Sequence, residues 1–308
     1  MEMKALVIIN PCAGKSRGKA LLFPITDALC KAGYSVTVYI TQASGDATHI
    51  IQSIGEEFDH IICCGGDGTF QETVTGVLTL KNRPSVGYIP CGTTNDLSKT
   101  LSIPSEPENN ITNILSGRYT ELDICTFGNK NFSYIASFGT FSSVSYETPQ
   151  NIKNLLGHTA YVLNGIGQVF KIHPIHLRWQ CDNDHGEGEY FFGAISNTTS
   201  IGGIYKLPPT AVALSDGMFE LILIQSGDSN LELIPKLITK QYNEKSDNRI
   251  LILRGKHFVL DFDEPIPFTL DGEFGGAHKH IEIDCLPAAI RLSSSDHSKS
   301  KDVTDNGT

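Results

Sequence analysis

Over its first third the chain alternates short apolar, β-branched runs with segments of helical period. "ALVIIN" at 5–10, "SVTVYI" at 35–40, "HIICC" at 60–64 and "SVGYIP" at 85–90 read as strands. Between them, 17–32 reads as a helix closed by Gly33, and 46–57 as one opening at Asp46. Pro24 lies inside the first of these helices and should kink it or mark its true start. Strand–helix alternation with short connections predicts an α/β domain whose parallel sheet is covered on both faces.

From about residue 122 the pattern changes. "ELDICTFGNKNFSYIASF" at 121–138 predicts a hairpin around Gly128 and Asn129. A helix is expected at 152–171 and another at 229–243. Strands are expected at 175–181, 189–197, 218–225, 250–254, 257–263, 266–270, 279–284 and 288–292. Many strands with few helices predict a β-rich, antiparallel, sandwich-like second domain. The domains implied are 1–122, completed by about 287–293, and 123–286. The tail 294–308, rich in Ser, Asp and Lys, has little to bury and is expected to be disordered.

Composition narrows the class without naming a chemistry. The 308 residues are 40% apolar and 19% charged, as in ordinary globular proteins. No window approaches the roughly 18 apolar residues that span a bilayer. "MEMKALVIIN" runs directly into a strand and carries no signal-peptide pattern. Eight scattered cysteines, with no CxxC, suggest reduced thiols in a cytoplasmic protein. A formal charge of −10 argues against nucleic acid as the main partner.

Three polar loops then stand out, each where a strand gives way to a helix. "NPCAGKSRG" at 10–18 is not a Walker A motif, because Ile9 stands where the first glycine should be. A tight turn remains, whose N–H groups can face a nucleotide or simply connect two elements. "GGDGT" at 65–69 lets the backbone approach phosphate, and Asp67 makes sense there if hydrated Mg²⁺ stands between them. The alternative is a turn with the Asp folded onto its own backbone. "PCGTTNDLSKTL" at 90–101 supplies a third polar helix start. In open α/β sheets, ligands sit outside the carboxyl ends of the strands.

"GGDGTFQE", "PCGTTNDL", "LDI" at 122–124, "LPPTAVALSDGMFEL" at 207–221 and "LDGE" at 270–273 together resemble the ordered motifs of the diacylglycerol kinase catalytic-domain family. The likeness is greatest to its soluble bacterial lipid kinases. Smaller matches at 151–166 and 194–203 extend it over about 4–293. The resemblance implies an α/β nucleotide-binding domain, a β-rich second domain and an active site in the cleft between them. It also implies transfer of the γ-phosphoryl group of ATP to a lipid hydroxyl.

Carried over by position, the ATP contacts are Asn10, Pro11, Cys12, Ala13, Gly14, Thr41, Gly66, Asp67, Gly68, Thr69, Phe70, Gln71, Glu72 and Thr93. Asp67, Asp96 and Asp123 match acidic positions that hold Mg²⁺ through water. Asp216, with the carbonyls of Ala213 and Met218, matches a second, structural Mg²⁺ site; an Asp-Gly turn before "MFELILI" is the alternative. Glu273 matches the general base, with Asp271 orienting or tuning it; the alternative is a water-exposed acidic hairpin tip. Cys12, Cys91 and "DLSKTL" depart from the commoner pattern without removing a candidate carboxylate. The partners implied are ATP, a membrane lipid met by transient surface contact, and a second copy of the chain. Diacylglycerol is the first acceptor to consider, with other lipid alcohols open. The rival readings are a NAD kinase-like enzyme, which shares GGDGT, and a catalytically silent lipid sensor.

Overall fold

The computed structural model describes residues 2–14, 17–92, 95, 97, 98, 101, 103, 104, 106–140, 174–197, 200, 201, 205, 206, 215–227 and 249–294. The helices expected at 152–171 and 229–243, and the tail from residue 295, lie outside the described residues.

Strands β1 (Met3–Ile9), β2 (Tyr34–Ile40), β3 (His60–Gly65) and β4 (Ser85–Pro90) alternate with helices α1 (Arg17–Lys31), α2 (Asp46–Ile54) and α3 (Asp67–Leu78); α4 (Pro107–Leu115) follows β4. Next come β5 (Tyr119–Phe127), β6 (Lys130–Phe132), β7 (Ile135–Gly139), β8 (Ile175–Cys181) and β9 (Asp184–Ser196). The short pair β10 (Ser200–Ile201) and β11 (Tyr205–Lys206) precedes β12 (Phe219–Gln225), β13 (Ile250–Gly255), β14 (His257–Leu270) and β15 (Glu273–Ser293).

In the first half β1 pairs in parallel with β2 and β3, and β3 with β4. The end of β15 lies beside β4, parallel through Leu292 and Val86, and its other edge pairs antiparallel with β5. This sheet is therefore mixed. Side chains alternate along each strand, which explains the continuous apolar runs. Ala5, Val7 and Ile9 pack with Ile25 and Leu29 of α1 and Ile114 of α4. Leu6 and Ile8 pack on the opposite face with Ile51 of α2 and Phe70 and Val74 of α3. Helix α1 continues through Pro24 rather than starting there. Helix α2 stops at Ile54, and a 3-10 turn over Gly55–Glu57 replaces its last expected turn.

The second half is antiparallel, in the order β13-β12-β9-β7-β14, with β8 pairing both β9 and β14. Its core is aromatic, with Phe132, Phe138, Phe219, Phe258, Phe262 and Phe268 all buried. Where the sequence suggests four strands from 257 to 292, there are two long ones. The register shifts between Asp261 and Ile266 and again between Leu286 and Ile290, so the apolar period breaks while the strand continues. Strand β9 begins at Asp184 rather than 189, because its first residues pair with β8 but present mostly solvent-exposed side chains. Strand β15 thus runs from Glu273, in the second half, to Leu292 beside β4.

Candidate active site

The ends of β1, β2, β3 and β4 bring four polar segments together. Asn10 organises the first: its backbone N–H donates to the Cys64 carbonyl at 3.0 Å, and its Oδ1 accepts the Cys12 N–H at 2.9 Å. Its Nδ2 donates to Thr69 Oγ1 at 3.0 Å, tying this loop to the first turn of α3. Gly14 has a positive φ of 52° and lies so close that a Cβ there would collide with the Cys91 carbonyl. Buried Thr41, after β2, donates its N–H to the Ile9 carbonyl at 3.0 Å.

Asp67 opens α3 directly after Gly66, where helical N–H groups lack intrahelical partners. Gly66 and Gly92 nearly touch: a Cβ on Gly92 would stand 2.7 Å from the Gly66 Cα. Asp67 Oδ1 accepts the Leu97 N–H at 3.4 Å, which joins the second loop to the third. Two buried polar atoms around this junction, the Tyr88 hydroxyl and Asn95 Oδ1, have no protein partner. Burial, reinforced by the negative field of Asp67, raises the Tyr88 pKa. Orphaned polar atoms around a carboxylate and closely apposed glycines are a donor set that would suit a hydrated cation and phosphate. Thr93 and Asp96 lie outside the described residues.

Three residues in the expected ATP set have side chains directed elsewhere. Successive helical positions are about 100° apart, so Phe70, Gln71 and Glu72 face three directions. Phe70 is buried against Tyr88, with ring centroids 4.7 Å apart. Glu72 accepts the Gly45 N–H at 2.7 Å and the Ala47 N–H at 3.3 Å, so it caps α2 from outside that helix. Gln71 bonds Asn131 of β6 and Ser133 directly after that strand.

On the opposite side, β14 and β15 are joined by Asp271 and Gly272, whose φ values of 48° and 90° are the pattern of a tight hairpin turn. Asp271 is buried, and its carboxylate accepts the N–H groups of Ser133 at 2.6 Å and of Tyr134 and Ile135 at 3.0 Å each. Burial pushes its pKa up to about 6 despite these donors. Glu273, by contrast, is exposed and reaches the first turn of α3. Its Oε1 stands 3.9 Å from the position a Cβ on Gly68 would occupy.

Asp123 and Asp216 form a separate junction. Fully buried Asp123 accepts the Gly217 N–H on Oδ2 at 2.6 Å and the Ala288 N–H on Oδ1 at 2.7 Å; burial raises its pKa. These contacts bind β5 to the Asp216–Met218 turn and the β15 bulge. Asp216 Oδ1 accepts the Met218 N–H at 3.0 Å, and Arg254 Nη2 donates to Oδ2. Arg254 Nε also lies 3.4 Å from Oε1 of buried Glu220, an ion pair without hydrogen-bond alignment. A cation at Asp216 therefore competes with Arg254. Ala213 lies outside the described residues. No cluster of three metal-ligating side chains occurs among the described residues, which leaves each acidic position to act with carbonyls, waters or phosphate.

Tyr88, Asn131, Ser133 and Arg254 escape sequence reasoning. Tyr88 looks like one more apolar strand position, and the other three meet their partners only through the fold.

Residues 4–127 match the family model described as diacylglycerol kinase catalytic domain, and 135–294 match the YegS C-terminal NAD kinase beta sandwich-like domain. The chain is 33% identical over 293 residues to a diacylglycerol kinase of Staphylococcus epidermidis, covering 92% of each protein. To that of Bacillus subtilis strain 168 it is 32% identical over 277 residues, covering 89% of this chain and 90% of the relative. A crystal structure of a diacylglycerol kinase from Bacillus anthracis str. Sterne superposes with a TM-score of 0.76 at 25% identity, covering 95% of this chain and 97% of that one. The chain belongs to the diacylglycerol kinase catalytic-domain family, as a kinase that transfers a phosphoryl group to a lipid hydroxyl.

Proposed function

We propose that this kinase uses ATP and Mg²⁺ to convert diacylglycerol to phosphatidic acid in phospholipid metabolism. The observation that carries the reading is the approach of Glu273 to Gly68, which joins a carboxylate of the second half to the loop that opens α3. The Asn10–Gly14 loop, Thr41, Gly66–Thr69 and Thr93 form the ATP cradle, with the N–H groups of the first turn of α3 turned to phosphate. Phe70, Gln71 and Glu72 support that cradle through their side chains without facing the nucleotide.

The acceptor oxygen forms a bond to the γ-phosphorus as the bond to the β,γ-bridging oxygen breaks, and ADP leaves with that electron pair. Glu273 takes the hydroxyl proton. Asp271 acts as a positioning group, because its oxygens hold the backbone of Ser133, Tyr134 and Ile135. Asp67 and Asp96 are the residues to hold Mg²⁺ through water near the phosphates, and bound Mg²⁺ would neutralise phosphate charge. Asp123 acts by anchoring the Asp216–Met218 turn and the β15 bulge. Asp216, with Ala213 and Met218, would hold a second ion once Arg254 yields.

No helix among the described residues is long and apolar enough to cross a membrane. Transient contact with the cytoplasmic membrane face, and a homodimer, complete the proposal on the strength of the family resemblance. The test is ATP consumption with diacylglycerol vesicles, with NAD and with neither, followed by mass spectrometry of the lipid product. Phosphatidic acid formed only with vesicles supports the reading; NADP formation, or no turnover with any lipid alcohol, overturns it. Vesicle flotation and sedimentation velocity test membrane contact and dimerisation.

A further inference from the structure

Gln71 lies one turn beyond Gly68 on α3, yet its side chain belongs to the other half of the molecule. Its Nε2 donates to the Asn131 carbonyl at 2.5 Å and to Asn131 Oδ1 at 2.6 Å, while Oε1 accepts the Ser133 hydroxyl at 3.1 Å. Ser133 is buried, and its backbone N–H donates to Asp271 Oδ2 at 2.6 Å. Asp271 begins the two-residue turn that delivers Glu273, and Glu273 Oε1 returns to within 3.9 Å of the Cβ position at Gly68. The path Gly68, Gln71, Ser133, Asp271, Glu273 closes on the helix where it starts.

This closure has a mechanical consequence. The turn holds both of its central residues at positive φ, 48° and 90°. Three backbone donors fix Asp271, and Lys130 Nζ donates to the carbonyls of Phe274 at 3.2 Å and Gly275 at 3.4 Å. Thus the backbone on both sides of Glu273 is tied to the β6–β7 segment. Its distance from the phosphate loop then depends on how that segment docks on α3. Gln71 makes that docking specific, with a donor and an acceptor satisfied at once in a partly buried setting. A planar amide with both ends engaged resists sliding in a way that an apolar contact does not.

We infer that Gln71 is a positioning residue for phosphoryl transfer, setting Glu273 against the phosphate loop through Ser133 and Asp271 rather than contacting ATP. The inference rests on Glu273 as the proton acceptor. Gln71→Leu keeps approximate side-chain size and removes both hydrogen-bonding ends. A misplacement of about 1 Å can cost about 100-fold in rate, so kcat should fall by about 10- to 100-fold with the KM for ATP unchanged. Ser133→Ala removes the same link from its other end while keeping the backbone donor to Asp271. The double variant should therefore be less impaired than the product of the two single effects. Circular dichroism and melting curves establish that each variant is folded. If Gln71→Leu fails to fold, Ser133→Ala carries the test alone, through its loss of kcat at unchanged KM.

Faster amide hydrogen exchange at Ser133, Tyr134 and Ile135 in folded Gln71→Leu, with unchanged exchange in α1, is the matching structural readout. The inference is overturned if kcat is retained in both single variants while Glu273→Gln is inactive. A loss that appears only in the KM for ATP would also overturn it, by making Gln71 a nucleotide contact. Wild-type turnover by Glu273→Gln would instead defeat the underlying role of Glu273, and the inference with it.

Discussion

Glu273 Oε1 stands 3.9 Å from the point where a Cβ on Gly68 would lie, an ordinary contact distance between two halves that are 205 residues apart in the chain. Glu273→Gln keeps the size and removes proton acceptance. The expected loss in kcat is on the order of 10²–10⁴, with Mg·ATP affinity nearly unchanged. Steady-state kinetics and calorimetric titration with a non-hydrolysable ATP analogue check both halves of this expectation. Wild-type turnover would remove Glu273 from the chemistry.

Tyr88 offers a test of the phosphate side. Its hydroxyl is buried without a protein partner, which costs stability in the nucleotide-free protein. Tyr88→Phe deletes that hydroxyl and keeps the ring on Phe70. The melting temperature without nucleotide should stay level or rise. If the hydroxyl meets water or phosphate in the Mg·ATP complex, affinity should fall by about 3- to 10-fold, the worth of one neutral hydrogen bond. Asp67→Ala should weaken Mg·ATP binding and abolish turnover. Unchanged affinity in both variants would reduce GGDGT to a connecting turn.

The legible and illegible parts of this site divide by whether a residue works through its backbone or through its fold-dependent side chain. Gly14 and Gly92 are legible because close backbone approach excludes a Cβ, a requirement written in the residue type itself, and Gly66 because one would be crowded at 3.3 Å from Gly92. Glu273 is legible only with the flanking Leu270, Asp271 and Gly272. Phe70, Gln71 and Glu72 are adjacent in the same motif, yet the 100° step of the helix sends them to the sheet, to Asn131 and to α2. Neither Asn131 nor Gly45 carries a mark of that meeting. The fold shows the same division. Continuous apolar runs reveal β1, β3 and β4, whereas the continuity of β14 and β15 hides behind register shifts at Asp261 and Leu286.

His60 predicts a pH dependence away from the site. It is fully buried between the rings of Tyr34 and Tyr119, at 6.3 and 6.2 Å, with Nε2 3.0 Å from Ser293 Oγ and Nδ1 unpartnered. Burial, reinforced by the positive charge of Arg291 and opposed by Asp59, lowers its pKa from 6.5 to about 4. Between those values the unfolded chain binds more protons than the folded one, so stability rises with pH and falls as pH drops from 6.5 towards 4. The contribution lost is of the order of 3 kcal/mol. His60→Gln, neutral throughout, should flatten the stability profile in that window. Urea denaturation at pH 4.5, 5.5 and 7 measures it; parallel profiles for both proteins would defeat the assignment.

Asp216 and Arg254 set up a competition that distinguishes a metal ligand from a structural turn. Arg254 donates to Asp216 and also stands beside buried Glu220, so it has a second carboxylate to serve when a cation takes the first. If Asp216 holds Mg²⁺, raising Mg²⁺ should lift the melting temperature of nucleotide-free protein, by the equivalent of about 2.7 kcal/mol at a hundredfold excess over Kd. Asp216→Ala should lose most of that lift, and chelation should lower the wild type towards the variant. Arg254→Ala should behave in the opposite sense on affinity. Without the competing guanidinium, the Mg²⁺ midpoint should move to lower concentration, while the metal-free protein melts earlier because Glu220 has lost its ion-pair neighbour. Thermal unfolding across a Mg²⁺ titration reads all three proteins. Identical responses would leave the Asp216–Arg254 pair as a clamp on the turn into β12, and the second ion would have no place in the reaction.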